Sequence, residues 1–166
     1  LIGAFNDEGP TGDRTGSAYV FTRSDGEWSQ QQKLIADDGD DGDFFGATVA
    51  LSADGRTALI GAPTDEDPNG ELGGAVYVFT RSNGEWSQQQ KLAADEGNRG
   101  RFGDGVALSD SGETALIGAS LGASAYVFTN SGGEWTQQQT LTGEGSSFGI
   151  RVALSDERTA LISAPG

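Results

Sequence analysis

The sequence contains no cysteine and no histidine. Without cysteine the fold cannot be braced by a disulfide, and no thiol is available for chemistry. Without histidine the chain lacks the commonest general base and the commonest ligand of transition metals. It also lacks a G-x-S-x-G elbow, a phosphate-cradling glycine loop and any apolar run near the roughly 20 residues of a membrane-spanning helix. These absences predict a non-catalytic chain that does not insert into a membrane.

Basic residues are scarce: 10 lysines and arginines stand against 25 acidic residues, giving a net charge of −15. Such a surface repels nucleic acids and anionic membranes, so neither is expected as a partner. Two interpretations of the charge remain. One is a solvated acidic surface adapted to high salt, and the other is the binding of divalent cations such as Ca²⁺.

The high-salt interpretation makes a prediction about stability. Salt screens the repulsion between surface carboxylates, so the melting temperature should climb steadily as potassium chloride rises from millimolar to molar. Differential scanning calorimetry would measure this. A flat or falling curve would favour the cation-binding interpretation.

Repeats are the main positive feature. Phe44–Pro63 reads F-F-G-A-T-V-A-L-S-A-D-G-R-T-A-L-I-G-A-P, with two apolar runs around an Asp-Gly pair that favours a tight hairpin. The motif returns at Phe102–Ser120 and Phe148–Pro165. The chain begins inside a further copy at Leu1–Phe5, which indicates a processed chain or an excised fragment.

Each repeat contains four short strand patterns, which we name by position as A (F-G…V-A-L-S), B (T-A-L-I-G-A-P), C (A-Y-V-F-T) and D (E-W-S-Q-Q-Q-K-L). Strand D is predicted to carry Trp28, Gln30, Gln32 and Leu34 on one face, with Glu27, Ser29, Gln31 and Lys33 on the other. Short turns join A to B and C to D, so each repeat should be an antiparallel meander. Four-stranded units of this length predict the blades of an all-β propeller, with strand A innermost and strand D at the outer edge.

The whole chain is expected to be a single propeller segment of about three blades' worth of strands. Propellers usually need at least four blades to close. We therefore predict an incomplete ring that self-associates or belongs to a larger propeller, with Phe45, Phe102 and Phe148 packing between blades. The expected units are residues 1–34 (strands B, C and D of a first blade), 44–92 (second blade), 102–141 (third blade) and 147–165 (strands A and B of a further blade).

The combination of Phe-Gly, Gly-Ala-Pro and Tyr-Val-Phe resembles the FG-GAP repeat, the blade motif of integrin α-subunit propellers, and is most similar to its bacterial and archaeal branch with W-x-Q-Q-x-K-L outer strands. The sequence departs from the motif at Ser120, in place of proline, and at Ser163, in place of glycine. Integrin-type blades often carry a D-x-D-x-D-G calcium loop between strands A and B. Here those loops are only Ser52–Arg56, Ser109–Glu113 and Ser155–Arg158, so the calcium residues of the family cannot be transferred.

The long acidic loops lie between strands B and C and between strands D and A, which an antiparallel meander places at one end of the blades. Carboxylates on glycine-rich loops suit Ca²⁺, although the spacing matches no well-defined calcium loop and a merely solvated loop is the alternative. Other acids of these loops are Asp7, Glu8, Asp13, Glu66 and Glu71. The candidate calcium ligands are Asp37, Asp38, Asp40, Asp41, Asp43, Asp65 and Asp67.

The resemblance implies an extracellular or cell-surface module for adhesion or scaffolding that binds a protein or glycan. The position of the acidic loops predicts that the ligand binds at their end of the propeller, with calcium as an optional cofactor. The alternative is the substrate-binding propeller of a secreted polysaccharide-active enzyme. An attached catalytic domain in the parent sequence would favour the alternative. A surface anchor or further repeats would favour adhesion.

Overall fold

The structure is a computed structural model that describes residues 1–9, 14–66, 72–95, 100–145, 147–156 and 158–165. Within these ranges the regular elements are thirteen β-strands and one 3-10 turn at Ser120–Gly122, and no helix is long and apolar enough to cross a membrane. The strands are β1 (Ile2–Ala4), β2 (Ser17–Ser24), β3 (Glu27–Leu34), β4 (Thr48–Leu51), β5 (Thr57–Ala62), β6 (Ala75–Ser82), β7 (Glu85–Leu92), β8 (Phe102–Leu108), β9 (Thr114–Ala119), β10 (Ser124–Ser131), β11 (Glu134–Thr142), β12 (Val152–Leu154) and β13 (Ala160–Ile162).

The strands form four antiparallel sheets in chain order. The first blade is β1-β2-β3, the second β4-β5-β6-β7, the third β8-β9-β10-β11, and the fourth sheet is the pair β12-β13. The predicted fold class is thus confirmed: the chain is an all-β propeller segment of antiparallel meanders, and its ring is open. Each C–D turn is a tight hairpin in which both central residues have positive φ, as at Asp25 (53°) and Gly26 (90°), because such turns match the twist of the strands they join.

The cores lie between blades, because side chains alternate across each strand. In the second blade, Ile60 and Tyr77 face the first blade, whereas Leu59 and Val78 face the third. The phenylalanines of the Phe-Gly pairs belong to these cores as predicted. Phe45 contacts Tyr77 edge-on, with ring centroids 5.3 Å apart, and Phe102, Tyr126 and Phe128 repeat the arrangement in the third blade.

The two glycines that define the repeat meet across each blade junction. The next-to-last residue of strand B is a glycine that lies against the carbonyl group of the Phe-Gly glycine in the next blade, so closely that a Cβ atom would overlap that oxygen. This contact brings the inner strands of adjacent blades together. The pairs are Gly3 with Gly46, Gly61 with Gly103, and Gly118 with Gly149.

The predicted alternation along strand D is wrong, because each D strand contains a β-bulge at its middle glutamine. In β3, Phe21 pairs with Gln30 and Val20 pairs with Gln32, which leaves Gln31 as the extra residue. Val20 and Phe21 are neighbours in β2, so their side chains point to opposite faces of the sheet. Gln32 and Gln30, which lie directly opposite them, therefore also point to opposite faces. Trp28 and Gln30 therefore lie on one face and Gln32 and Leu34 on the other. The same register shift occurs in the D strands of the second and third blades.

Candidate functional site

An acidic cleft of about 740 Å³ lies at one end of the second blade. Its walls come from the loop between β3 and β4 and from the described parts of the loop between β5 and β6. The hydroxyl of Thr64 donates a hydrogen bond of 2.6 Å to the carbonyl oxygen of Gly42 and joins the two loops. One lysine, Lys91, lines the cleft together with Asp38, Asp40, Asp41, Asp43, Asp65 and Glu66.

Lys91 and Tyr77 hold two of these acids. The Lys91 Nζ atom lies 2.9 Å from Asp38 Oδ2 and 3.1 Å from Asp65 Oδ1. The Tyr77 hydroxyl lies 2.8 Å from Asp38 Oδ1 and 2.6 Å from Asp65 Oδ2. A hydroxyl has one proton, so it donates to one carboxylate at a time. The ammonium group also lies 5.3 Å from the centre of the Tyr77 ring.

The two carboxylates differ in burial and therefore in proton affinity. Burial raises the pKa of Asp65, whose side chain is 4% exposed, although Tyr77 and Lys91 oppose the rise. Burial also acts to raise the pKa of the half-exposed Asp38, but hydrogen bonds from Lys91 and Tyr77 outweigh it, and the net shift is downward. Burial by itself would lower the pKa of Lys91, but the two carboxylates outweigh it and raise this pKa. Lys91 therefore stays charged.

Asp43 is the second buried acid of the cleft. Burial raises the pKa of Asp43 to about 6, against the effect of the Asp40 backbone N–H, which donates to Asp43 Oδ2 at 2.6 Å. The charges of Asp65 and Asp40 add to the rise. Asp43 consequently gains and loses a proton close to neutral pH.

Of the predicted calcium ligands, five line this cleft: Asp38, Asp40, Asp41, Asp43 and Asp65. Asp37 is exposed beside it, and its backbone N–H donates to Gln88 Oε1 at 3.1 Å. Asp67, like Asp13 and Glu71, lies outside the described residues. Within the described ranges, no three acidic side chains are grouped so that they could hold a metal ion. A cation between Asp38 and Asp65 would have to displace the Lys91 ammonium group.

The sequence analysis missed the roles of Tyr77 and Lys91, which have counterparts in the first blade. There, Asp7 accepts hydrogen bonds from Tyr19 (2.5 Å) and Ser17 (2.6 Å), and Lys33 Nζ lies 3.3 Å from Asp7 Oδ2. Hydrogen bonds from the Ser17 and Tyr19 hydroxyls lower the pKa of Asp7 to about 2. In both blades the tyrosine follows the aspartate by 12 positions and lies directly opposite the lysine. This recurring spacing of aspartate, tyrosine and lysine is the sequence feature from which their contact could have been predicted.

The third blade lacks the arrangement. Thr140 lies opposite Tyr126, where the first two blades have lysine. The loop after β9 is the short turn Ser120–Gly122, and the Ser120 hydroxyl donates to Asp104. The paired loops and the buried carboxylates therefore make the second blade the candidate site.

Comparison with known proteins agrees with this architecture. The pattern of the FG-GAP repeat matches residues 28–79 and 86–132, which is more than half of the chain. Human integrin alpha-6 is 35% identical over 68 residues, which cover 40% of this chain and 6% of the integrin.

A solved β-propeller domain, that of Cps50 (Swd1) from Myceliophteria thermophila, superimposes with a TM-score of 0.59 at 14% identity. The match covers 82% of this chain and 40% of that structure. At this level of identity the likeness concerns the fold alone. The chain thus spans a small part of the integrin and less than half of the solved propeller.

Proposed function

The chain belongs to the FG-GAP repeat family, and we propose that it is a non-catalytic binding module of an extracellular or cell-surface protein. The observation that carries the proposal is the acidic cleft, where two long loops present carboxylates on the rigid frame of the second blade. Loops held by a rigid scaffold are a common location for binding sites. The similarity to an integrin supports adhesion to a protein or glycan partner.

Within the cleft, the residues divide into supporting and ligand-facing groups. Asp65 is buried against Lys91 and Tyr77, so it supports the loop. Asp40 and Asp41 are exposed, and we assign ligand contact to them. A ligand with ammonium, guanidinium or hydroxyl groups suits such a surface, since these groups donate hydrogen bonds to carboxylates.

Calcium assistance is a finer part of the same proposal. Asp40, Asp41 and the backbone carbonyl groups of this glycine-containing loop are oxygen ligands of the kind Ca²⁺ selects. Such an ion would lie on the solvent side of the Lys91 ammonium group. The alternative, a substrate-binding propeller of a polysaccharide-active enzyme, would use the same cleft for a glycan.

The test replaces Asp40 and Asp41 together by asparagine. Both are exposed, so the melting temperature without calcium should change little. Binding to glycans and matrix proteins identified with an array should fall at least tenfold, and any rise of the melting temperature with calcium chloride should disappear. Binding is measured by biolayer interferometry and melting by calorimetry.

The matched control carries Asp110→Asn and Glu113→Gln, which remove the same charge from exposed residues of an A–B turn at the opposite end of the blades. Its binding should stay within twofold of the unmodified protein. Loss of binding in the control and not in the cleft variant would assign the function to the opposite end. If the unmodified protein binds none of the probes on the array, the proposal is contradicted.

A further inference from the structure

Two leucines are exposed at the end of the blades that carries the acidic cleft. Leu72 is 67% exposed and Leu121 is 70% exposed, and each lies three residues before strand C of its blade. They line one groove of about 410 Å³ between the second and third blades. A single exposed leucine is ordinary, whereas a groove that gathers several apolar side chains often marks an interaction site. The groove is also lined by Phe44, Pro63, Thr64 and Arg101.

Backbone hydrogen bonds hold both leucines in place. Gly73, which follows Leu72, accepts a hydrogen bond of 2.8 Å from the N–H of Phe102 in the next blade. The Leu121 N–H donates to the carbonyl oxygen of Gly100 at 3.0 Å. A partner that packs between the two leucines would therefore pay little for ordering the backbone beneath them.

The backbone at Phe44 is strained in favour of this groove. Phe44 has a φ of 57°, in the left-handed region that a bulky side chain rarely adopts. Arg101 occupies the same position of the third blade and has a φ of 59°. Glycine would be unstrained at both positions, yet each carries a side chain that lines the groove. Strain of this kind is concentrated at functional sites.

The groove and the acidic cleft form one continuous surface, because Thr64 and Leu72 line both. On the groove side, the Arg101 Nε atom lies 3.2 Å from Asp104 Oδ1, so its charge is largely offset. On the cleft side, several carboxylates are exposed, among them Asp40 and Asp41. The combined surface is therefore apolar at one end and negatively charged at the other.

We propose that the groove and the cleft together bind a segment of a partner protein that presents an aliphatic side chain close to a lysine or an arginine. The aliphatic side chain packs between Leu72 and Leu121, and the cationic group contacts Asp40 and Asp41. Complementarity of charge and of apolar surface selects this occupant. The inference rests on the proposed function, since the cleft supplies the cationic half of the site, and it favours a protein over a glycan as the ligand.

A glycan suits the groove less well. Sugar hydroxyl groups that are pressed against leucine side chains lose their hydrogen bonds to water and gain no partner. The Thr64 hydroxyl already donates to the carbonyl oxygen of Gly42. The Phe44 ring has the Arg14 guanidinium group 5.7 Å from its centre. The hydroxyl and the aromatic face that a sugar could use are thus engaged within the chain.

The experiment is an NMR titration of the full chain with a synthetic peptide of three copies of Lys-Ser-Leu-Ser. In an extended peptide, residues two positions apart point to the same side, so lysine and leucine face the protein together. The methyl signals of Leu72 and Leu121 and the amide signals of Asp40 and Asp41 should shift along one binding curve. Control peptides with serine in place of leucine, or glutamine in place of lysine, should each bind about tenfold more weakly.

Variants of the leucines test the groove from the side of the protein. Leu72→Ser combined with Leu121→Ser should weaken binding of the lysine–leucine peptide about tenfold and abolish its advantage over the leucine-free peptide. Leu72→Met combined with Leu121→Met is the matched control, because methionine keeps the apolar surface; its affinity should stay within about twofold. Both positions are exposed, so the melting temperatures should change little.

The outcomes separate this inference from the binding function of the cleft. Equal affinity of the unmodified protein for the peptides with and without leucine would overturn the inference, and this measurement needs no variant to fold. Unchanged affinity of the serine double variant would also overturn it. So would a groove that binds a glycan of the array and no peptide, with loss of the glycan in the serine double variant. In each case the cleft keeps its proposed function, which the asparagine variant of Asp40 and Asp41 tests by itself.

Discussion

Replacing Gly61 by alanine should lower the free energy of unfolding by about 3 kcal/mol or more. Gly61 is buried at the junction of the second and third blades. A Cβ atom there would overlap both the carbonyl oxygen of Gly103 and the hydroxyl of Thr48, which donates to that same carbonyl at 2.7 Å. Relief requires the inner strands of two blades to move apart. Chemical denaturation monitored by tryptophan fluorescence would measure the loss.

Ser163 provides the matched control, because it follows β13 directly, occupies the position of Gly61 in the last repeat and already carries a side chain. Ser163→Ala removes one hydrogen bond, the exposed contact of 3.2 Å from the Arg151 N–H. Its cost should be below about 1 kcal/mol. A Gly61→Ala variant as stable as this control would show that the blade junction is looser than the structure indicates.

Replacing Lys91 by methionine should destabilise the fold by about 3 kcal/mol at pH 7, because it leaves the buried Asp65 without its cation. The folded-state pKa of Asp65 should then rise further above that of the unfolded chain. Between these two pKa values the folded state holds a proton that the unfolded state releases, so stability increases as pH falls. Part of the loss should therefore be recovered between pH 7 and pH 5, as measured by denaturation at each pH.

The equivalent substitution in the first blade, Lys33→Met, separates burial from charge. Lys33 and Asp7 are 39% and 37% exposed, and exposed ion pairs contribute about 0 to 1 kcal/mol. The control should therefore lose little stability. Asp43, with a pKa of about 6, makes the unmodified protein also more stable as pH falls below neutral, so each variant is compared with the unmodified protein at the same pH. Equal losses in the two variants would contradict the burial argument.

Short-range patterns in the sequence were enough to predict the repeats, the antiparallel meanders and the propeller. A turn such as Asp25-Gly26 forces the chain to reverse within a few residues, and alternating apolar residues such as those of Ala75–Ser82 then decide which faces are buried. The convergence of loops around the second blade also follows from this connectivity, because alternate loops of a meander lie at the same end. Five of the predicted calcium ligands consequently line one cleft.

The contact of Lys91 with the acidic residues of that cleft could not be predicted from short-range patterns in the sequence. Lys91 is separated from Asp65 by 26 residues and from Asp38 by 53. Their contact depends on the pairing of β7 with β6 and on the packing of the second blade against the loop that leads into it. The acidic residues of the cleft could be named from the sequence, but the ammonium group that the fold places between Asp38 and Asp65 could not.

Sequence alone was sufficient for the blade, since turn chemistry and side-chain alternation act over a few residues, and it left open how blades join. The bulge at Gln31, and at the equivalent glutamine of each other D strand, reverses the face to which the side chains in the second half of the strand point. The sequence shows only three consecutive glutamines and does not indicate which of them is the extra residue. Burial of Trp86 and exposure of Trp28 likewise have no local cause, because both lie in the same motif. Their exposure depends on whether a neighbouring blade packs against them, and this is known only from the tertiary structure.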